Sequence, residues 1–313
     1  MNQFHQQSYS QVVGNWLNTF WRFSRPQTMI TTSLTVWGLY FLTLGVTNSK
    51  FPGVHLSQVF ITWIACLCGN IYIVGLNQVE DIEIDKINHP DLPLVSGDFT
   101  KEQGQLIVII SGILALVISW VTSPSLFWMI LISLVIGTAY SLPPIRLKRY
   151  PFWAALSIFS VRGTIVNLGL FSHFSWLFQK SQGISSALWV LTVFILVFSF
   201  AMKIFQDIPD LPGNKTYNLT NLTIELKPKR VFYLALWVVI ICYTGMMITA
   251  WLKIAPVNSL FLIITHLIIL IYVWWHGAGV NVQDQRETSQ FYQLIGKLFF
   301  LEYVLFPIAC LLG

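Results

Sequence analysis

The chain is 313 residues long, 55% hydrophobic and only 10% charged, with a formal charge of +5. Soluble domains carry about 25% charged residues, so a water-soluble fold is excluded. The positive balance then reads as membrane topology, with no nucleic-acid partner implied. Thirteen Trp, eleven Tyr and twenty-three Phe suit aromatic belts at two membrane interfaces.

Residues 1–27 are polar and carry Arg22 and Arg25 without a short apolar core before a small-residue cleavage site, so no secretory signal is visible. They are read as an N-terminal segment, and residues 28–313 as a single transmembrane domain. Apolar windows of about 17–25 residues can cross a bilayer as helices. Nine occur, at roughly 28–47, 56–79, 105–122, 125–142, 151–171, 186–206, 231–251, 257–276 and 292–312. The expectation is an all-α integral membrane protein in the lipid bilayer, its termini on opposite sides. Only Lys50, Lys180 and Lys253 fall on the side away from the N-terminus, and Arg162 lies inside the fifth span. The positive-inside rule therefore places the N-terminus in the cytoplasm. Apart from Glu302 in the last span, the acidic residues share that side.

The second span runs straight into Asn77-Gln-Val-Glu80-Asp81-Ile-Glu83-Ile-Asp85. Asn77, Asp81 and Asp85 are four apart and stack on one helical face, while Glu80 and Glu83 point elsewhere. Stacked carboxylates repel unless a cation sits between them, and Mg²⁺ favours carboxylate oxygens shared with substrate phosphates. The alternative is a solvated acidic loop. A second cluster, Gln206-Asp207-Ile-Pro-Asp210-Leu-Pro-Gly-Asn214, ends the sixth span, four helices later and on the same side. That spacing predicts two parallel four-helix repeats plus a ninth helix around a central cavity, with one acidic face from each half.

After the fourth span, Tyr140-Ser-Leu-Pro-Pro-Ile-Arg146-Leu-Lys148-Arg149 places three cations on a short loop. They either set topology or reach diphosphate oxygens. Arg162, deep in the fifth span, needs an anionic substrate group or the equally buried Glu302. Asn167 is a candidate polar lining residue, and His266 reads as a helix-packing histidine. The four cysteines have no convincing metal or disulfide spacing. A carboxylate box at the water boundary suits an allylic diphosphate, whose head needs a metal ion and whose tail prefers lipid. A transporter is the alternative from another class, although its site would lie near the midplane between inverted repeats.

The first block, with Leu92-Pro-Leu-Val-Ser-Gly97, Tyr140-Ser-Leu-Pro-Pro-Ile-Arg-Leu-Lys148, Val161-Arg-Gly-Thr-Ile-Val-Asn167 and Lys297-Leu-Phe-Phe-Leu-Glu-Tyr303, resembles the UbiA superfamily, and within it the homogentisate prenyltransferases. The resemblance covers nearly the whole chain after residue 20. It implies nine helices, two Mg²⁺ ions, and transfer of phytyl or a related group from its diphosphate to homogentisate, with decarboxylation, as in tocopherol synthesis. A different aromatic acceptor is the nearer alternative. It also implies a bacterial plasma or thylakoid membrane. By the same resemblance Asn77, Asp81, Asp85, Asp207 and Asp210 hold the metal, and Asn214, where the family has an aspartate, can add an uncharged carbonyl oxygen. Lys148, Arg146, Tyr140, Arg162 and Asn167 contact substrates, and Asp81, Asp85 and Asp207 are the catalytic set. The family's second block usually reads Lys-Asp-x-Pro-Asp-x-x-Gly-Asp. Gln206 and Asn214 depart from it, which predicts a weaker second metal or a different donor or acceptor.

Overall fold

The structure is a computed structural model that describes residues 9–49, 55–180, 183–208 and 227–313. Among the described residues every element is helical and nine helices are long and apolar enough to cross a membrane. They are α2 (Pro26–Val46), α3 (Leu56–Glu80), α6 (Lys101–Thr122), α7 (Pro124–Ser141), a broken fifth span, α10 (Ser186–Asp207), α11 (Pro228–Trp251), α12 (Ser259–Ala278) and α13 (Gln285–Leu311). The fifth span is built from α8 (Pro151–Phe159), a π-helical turn Ser160–Ile165, and α9 (Val166–Leu177). Two short helices, α4 (Ile82–Asn88) and α5 (Pro93–Ser96), follow α3, and an N-terminal helix α1 (Tyr9–Phe23) precedes α2.

Local chemistry explains where the spans begin. Pro26, Pro124, Pro151 and Pro228 sit in the first turns of their helices, where a missing N–H costs nothing. Thr100 and Gln103 form a reciprocal capping box at the start of α6. Ser123, Asn258 and Asp284 cap α7, α12 and α13 through their side-chain oxygens. Between the helix ends, bands of Leu, Ile, Val and Trp such as Ile109, Ile113, Trp128, Ile268 and Trp275 face outward and are exposed. That pattern belongs to a lipid-facing surface.

Six spans form a ring: α2 touches α3, α3 touches α7, α7 touches the fifth span, which touches α10, and α10 touches α13, which returns to α2. Helices α6, α11 and α12 pack outside it. The return contact is very close, because a Cβ on Gly38 would lie 2.2 Å from the Tyr303 carbonyl oxygen and one on Gly45 2.7 Å from Cys310. Small residues let membrane helices approach in this way. Away from the acidic end the ring is plugged. Tyr40 of α2 packs edge-on to Phe174 and tilts against Phe178, at 5.5 and 5.7 Å between centroids. His173, without exposed surface, is held between Thr62 Oγ1 (2.8 Å) and Ser123 Oγ (2.7 Å).

The N-terminal segment is more structured than its polar composition suggests. Helix α1 buries Phe23 against Val79, Leu94, Phe99 and Val108. The Gln78 amide donates to the Phe23 carbonyl at 2.7 Å, and Arg22 pairs with Asp98 at 2.7 Å. These contacts brace the end of α3 just before Asp81.

Candidate active site

Helix α3 ends at Glu80 and α4 begins at Ile82, with Asp81 between them at φ −111°, ψ 18°. The break does not lose the helical register. The Asp81 N–H donates to the Asn77 carbonyl (3.1 Å), and the Asp85 N–H to the Asp81 carbonyl (2.8 Å). The four-residue spacing therefore keeps Asn77, Asp81 and Asp85 on one face through the kink, as their sequence pattern predicts. Asn77 Nδ2 donates to Asp81 Oδ2 at 3.2 Å. Glu83 turns away to pair with Lys86 at 2.8 Å.

The loop after α7 comes back over this face. Arg146 Nη2 lies 2.8 Å from Asp81 Oδ1, and Lys148 Nζ lies 2.5 Å from Asp81 Oδ2. Arg146 adopts a left-handed backbone (φ 39°), a conformation costing on the order of 1 kcal/mol that is tolerated where a site needs it. Tyr140, half-buried at the end of α7, lies within the electrostatic reach of Asp81. Asp81 and Asp85 are 8% and 6% exposed, so two carboxylates are held one helical turn apart out of bulk water. Burial pushes the Asp85 carboxyl above its ordinary range and Asp81 adds to the shift, against the pull of Arg25, His89 and Lys148. Burial likewise lowers the Lys148 ammonium, although its contact with Asp81 opposes this.

Asp81 is saturated by its neighbours, whereas Asp85 Oδ2 is buried with no hydrogen-bond partner. An orphaned carboxylate oxygen beside a second carboxylate and an amide oxygen is a donor set for a hard divalent cation. Among the described residues no three His, Cys, Asp or Glu side chains gather into a complete metal cluster. The rest of the expected ligands belong to the second acidic block. The structure describes Asp207 as the last residue of α10 but not its side chain, and Asp210 and Asn214 lie outside the described residues. Gln206 is exposed on the last turn of α10.

Two expectations deep in the bundle are corrected. Arg162 does not pair with Glu302. That carboxylate lies instead 3.3 Å from His266 Nε2, with no exposed surface on either side chain. The helices decide this, since α12 packs on α13 outside the ring while Arg162 sits within the fifth span. Asn167 lines no accessible surface: it is fully buried, accepting from Tyr303 Oη at 2.9 Å and donating to the Gly163 carbonyl at 3.0 Å. Tyr303 ends a block quoted for the family resemblance, but the sequence reading gave it no role.

With this geometry in place, the comparisons with known proteins are decisive. Residues 32–302 match the UbiA prenyltransferase family. The chain belongs to that family. It is 47% identical over 294 residues to a homogentisate phytyltransferase from Synechocystis sp., covering 94% of this chain and 96% of the relative. It is 33% identical to homogentisate phytyltransferase 1 of Arabidopsis thaliana, over 93% of this chain and 75% of the relative. A UbiA homologue from Archaeoglobus fulgidus, bound to GPP and Mg²⁺, superposes with a TM-score of 0.61 at 17% identity, covering 94% of this chain and all of the other (100%). The UbiA assignment makes this chain an intramembrane prenyltransferase and removes the transporter alternative.

Proposed function

We propose that this UbiA-family enzyme transfers a phytyl group, or a prenyl group of similar length, from its diphosphate to homogentisate, with loss of the acceptor's carboxylate as CO₂. The observation carrying this reading is the buried Asp81, paired with both Lys148 and Arg146, one helical turn from a second buried carboxylate, Asp85, that has an unpartnered oxygen, at one end of the helical ring. The acceptor and tail are taken from the 47% identity to the Synechocystis enzyme over nearly the full length of both chains.

Asn77, Asp81 and Asp85 would hold Mg²⁺ through their oxygens, and the likeness to a UbiA homologue bound to GPP and Mg²⁺ supports the choice of ion. Bound there, the ion would neutralise the diphosphate and make it a better leaving group. Asp207, Asp210 and Asn214 are proposed to hold a second ion, more weakly because Asn214 brings no charge. Lys148 and Arg146 are within reach to exchange part of their contact with Asp81 for diphosphate oxygens, keeping charge balanced as the head group docks. The apolar ring and its aromatic plug shelter the allylic cation from water until the ring carbon of the acceptor takes it. The charge asymmetry of the loops supports an active-site end facing the cytoplasm.

Purified protein incubated with Mg²⁺, phytyl diphosphate and homogentisate should yield a decarboxylated, prenylated quinol. No prenylated product across several tail lengths and several aromatic acids would overturn the proposal.

A further inference from the structure

Arg162 stands eleven residues beyond Pro151, roughly 16 Å along the fifth span at 1.5 Å per residue. A guanidinium at that depth is costly unless it faces a partner or open space inside the bundle. Among the described residues it makes no hydrogen bond or ion pair, and its electrostatic neighbours are Tyr292 and Tyr303 of α13. Yet the residue keeps accessible surface while surrounded by protein.

Its neighbours say which way it points. The Val166 N–H donates to the Val161 carbonyl, five residues back, which widens the turn that carries Arg162. Both electrostatic neighbours of Arg162 are on α13, and Asn167, just past the turn, meets one of them, Tyr303, across the ring. The accessible surface of Arg162 is thus on the inner side of the bundle, away from lipid. Asn167 fixes the turn from both ends. Its amide nitrogen donates to the Gly163 carbonyl (3.0 Å), and its oxygen accepts from the Tyr303 hydroxyl (2.9 Å).

Two cations already attend the Asp81 end of the ring, where a diphosphate head would dock. An anion met by Arg162 would be a different one, deeper in the bundle. A planar guanidinium fork matches a carboxylate in two-point contact, and the half-buried Tyr292 supplies an aromatic face in its neighbourhood. We propose that Arg162 anchors the carboxylate of the aromatic acceptor and makes the enzyme selective for aromatic acids, with Asn167 and Tyr303 as positioning residues that hold the π turn. This inference rests on the acceptor reading above.

The test compares homogentisate with 2-methylhydroquinone, which keeps both hydroxyls but replaces the carboxymethyl group by methyl. Phytyl diphosphate is the donor throughout. For Arg162→Gln the KM for homogentisate should rise at least tenfold while the KM for phytyl diphosphate stays within about twofold. The kcat/KM ratio of homogentisate to methylhydroquinone should fall at least tenfold. Asn167→Ala and Tyr303→Phe should move that ratio the same way by a smaller factor, which simple loss of folded enzyme would not do. If Arg162→Gln fails to accumulate in membranes, Arg162→Lys, which keeps the charge and loses the fork, carries the same ratio test. An unchanged ratio, or a rise in KM confined to the diphosphate, overturns the inference while prenyl transfer to homogentisate stands. A wild-type enzyme that prenylates no aromatic acid overturns both.

Discussion

Lys148 Nζ lies 2.5 Å from Asp81 Oδ2, and Arg146 Nη2 lies 2.8 Å from the other oxygen of the same carboxylate. Asp81 is therefore both the proposed metal ligand and the residue that holds the diphosphate-facing loop in place. Asp81→Asn should lose turnover by at least about 100-fold, since it removes charge from the metal face and frees both cations at once. Its stability cost should be only about 1–2 kcal/mol, because all three side chains keep some contact with water. Lys148→Gln should instead raise the KM for prenyl diphosphate by about tenfold with a smaller effect on kcat. Steady-state kinetics and thermal unfolding in detergent check both. A near-normal kcat/KM in Asp81→Asn would remove Asp81 from the site.

Asp85 makes a prediction with the opposite sign for stability. Its carboxyl is raised above the ordinary value, by burial first and then by Asp81. A raised acid favours its neutral form in the fold, so the ionised form costs stability at neutral pH; the cost starts to shrink as pH falls through the folded-state value and is gone below the unfolded-state one. In EDTA at pH 7, Asp85→Asn should thus melt higher than wild type, and the two should converge toward pH 4. Mg²⁺ should then stabilise wild type more than the variant. A variant no more stable than wild type at pH 7 in EDTA would mean that Asp85 is satisfied without a cation.

These two residues were legible in the sequence because a helical face survives in the spacing alone. Asn77, Asp81 and Asp85 keep their register even across the kink at Asp81, where backbone hydrogen bonds continue four residues apart. The nine spans were legible for the same local reason, since length and hydropathy decide them. Partnership between helices was not. Whether Glu302 meets Arg162 or His266 depends on which helices join the ring, and no local pattern encodes that. The π turn around Arg162 is also silent in sequence, because one extra residue per turn leaves composition unchanged. Helix α1 was missed because its buried Phe23 and half-buried Phe20 sit in a segment rich in Gln, Asn and Thr, which mask an amphipathic face from a hydropathy window.

The contact between α2 and α13 should be the most intolerant of added volume. A Cβ at Gly38 would lie 2.2 Å from the backbone oxygen of Tyr303, and that oxygen has no flexible side chain to yield. Gly38→Ala must push the helices apart, at a cost of about 1–3 kcal/mol or more. The same displacement would move Tyr303 off Asn167. A lower melting temperature should therefore come with a raised KM for the acceptor, measured on whatever fraction stays folded. An alanine variant with wild-type stability would show that the two helices are not packed this closely.

Glu302 and His266 supply a test of the packing outside the ring. Both side chains are wholly buried, their nearest atoms are 3.3 Å apart, and both carboxylate oxygens lack a hydrogen-bond partner. Removing the histidine leaves a carboxylate with no partner in an apolar interior, which is the costly way to break such a pair. Replacing the acid by its amide removes the charge and keeps the shape. His266→Ala should therefore lower the melting temperature more than the double variant His266→Ala/Glu302→Gln does, so that the second substitution rescues the first. The coupling from the full thermodynamic cycle should fall at about 1–3 kcal/mol. Strict additivity of the two substitutions would show that the residues do not interact and that Glu302 is held by something else.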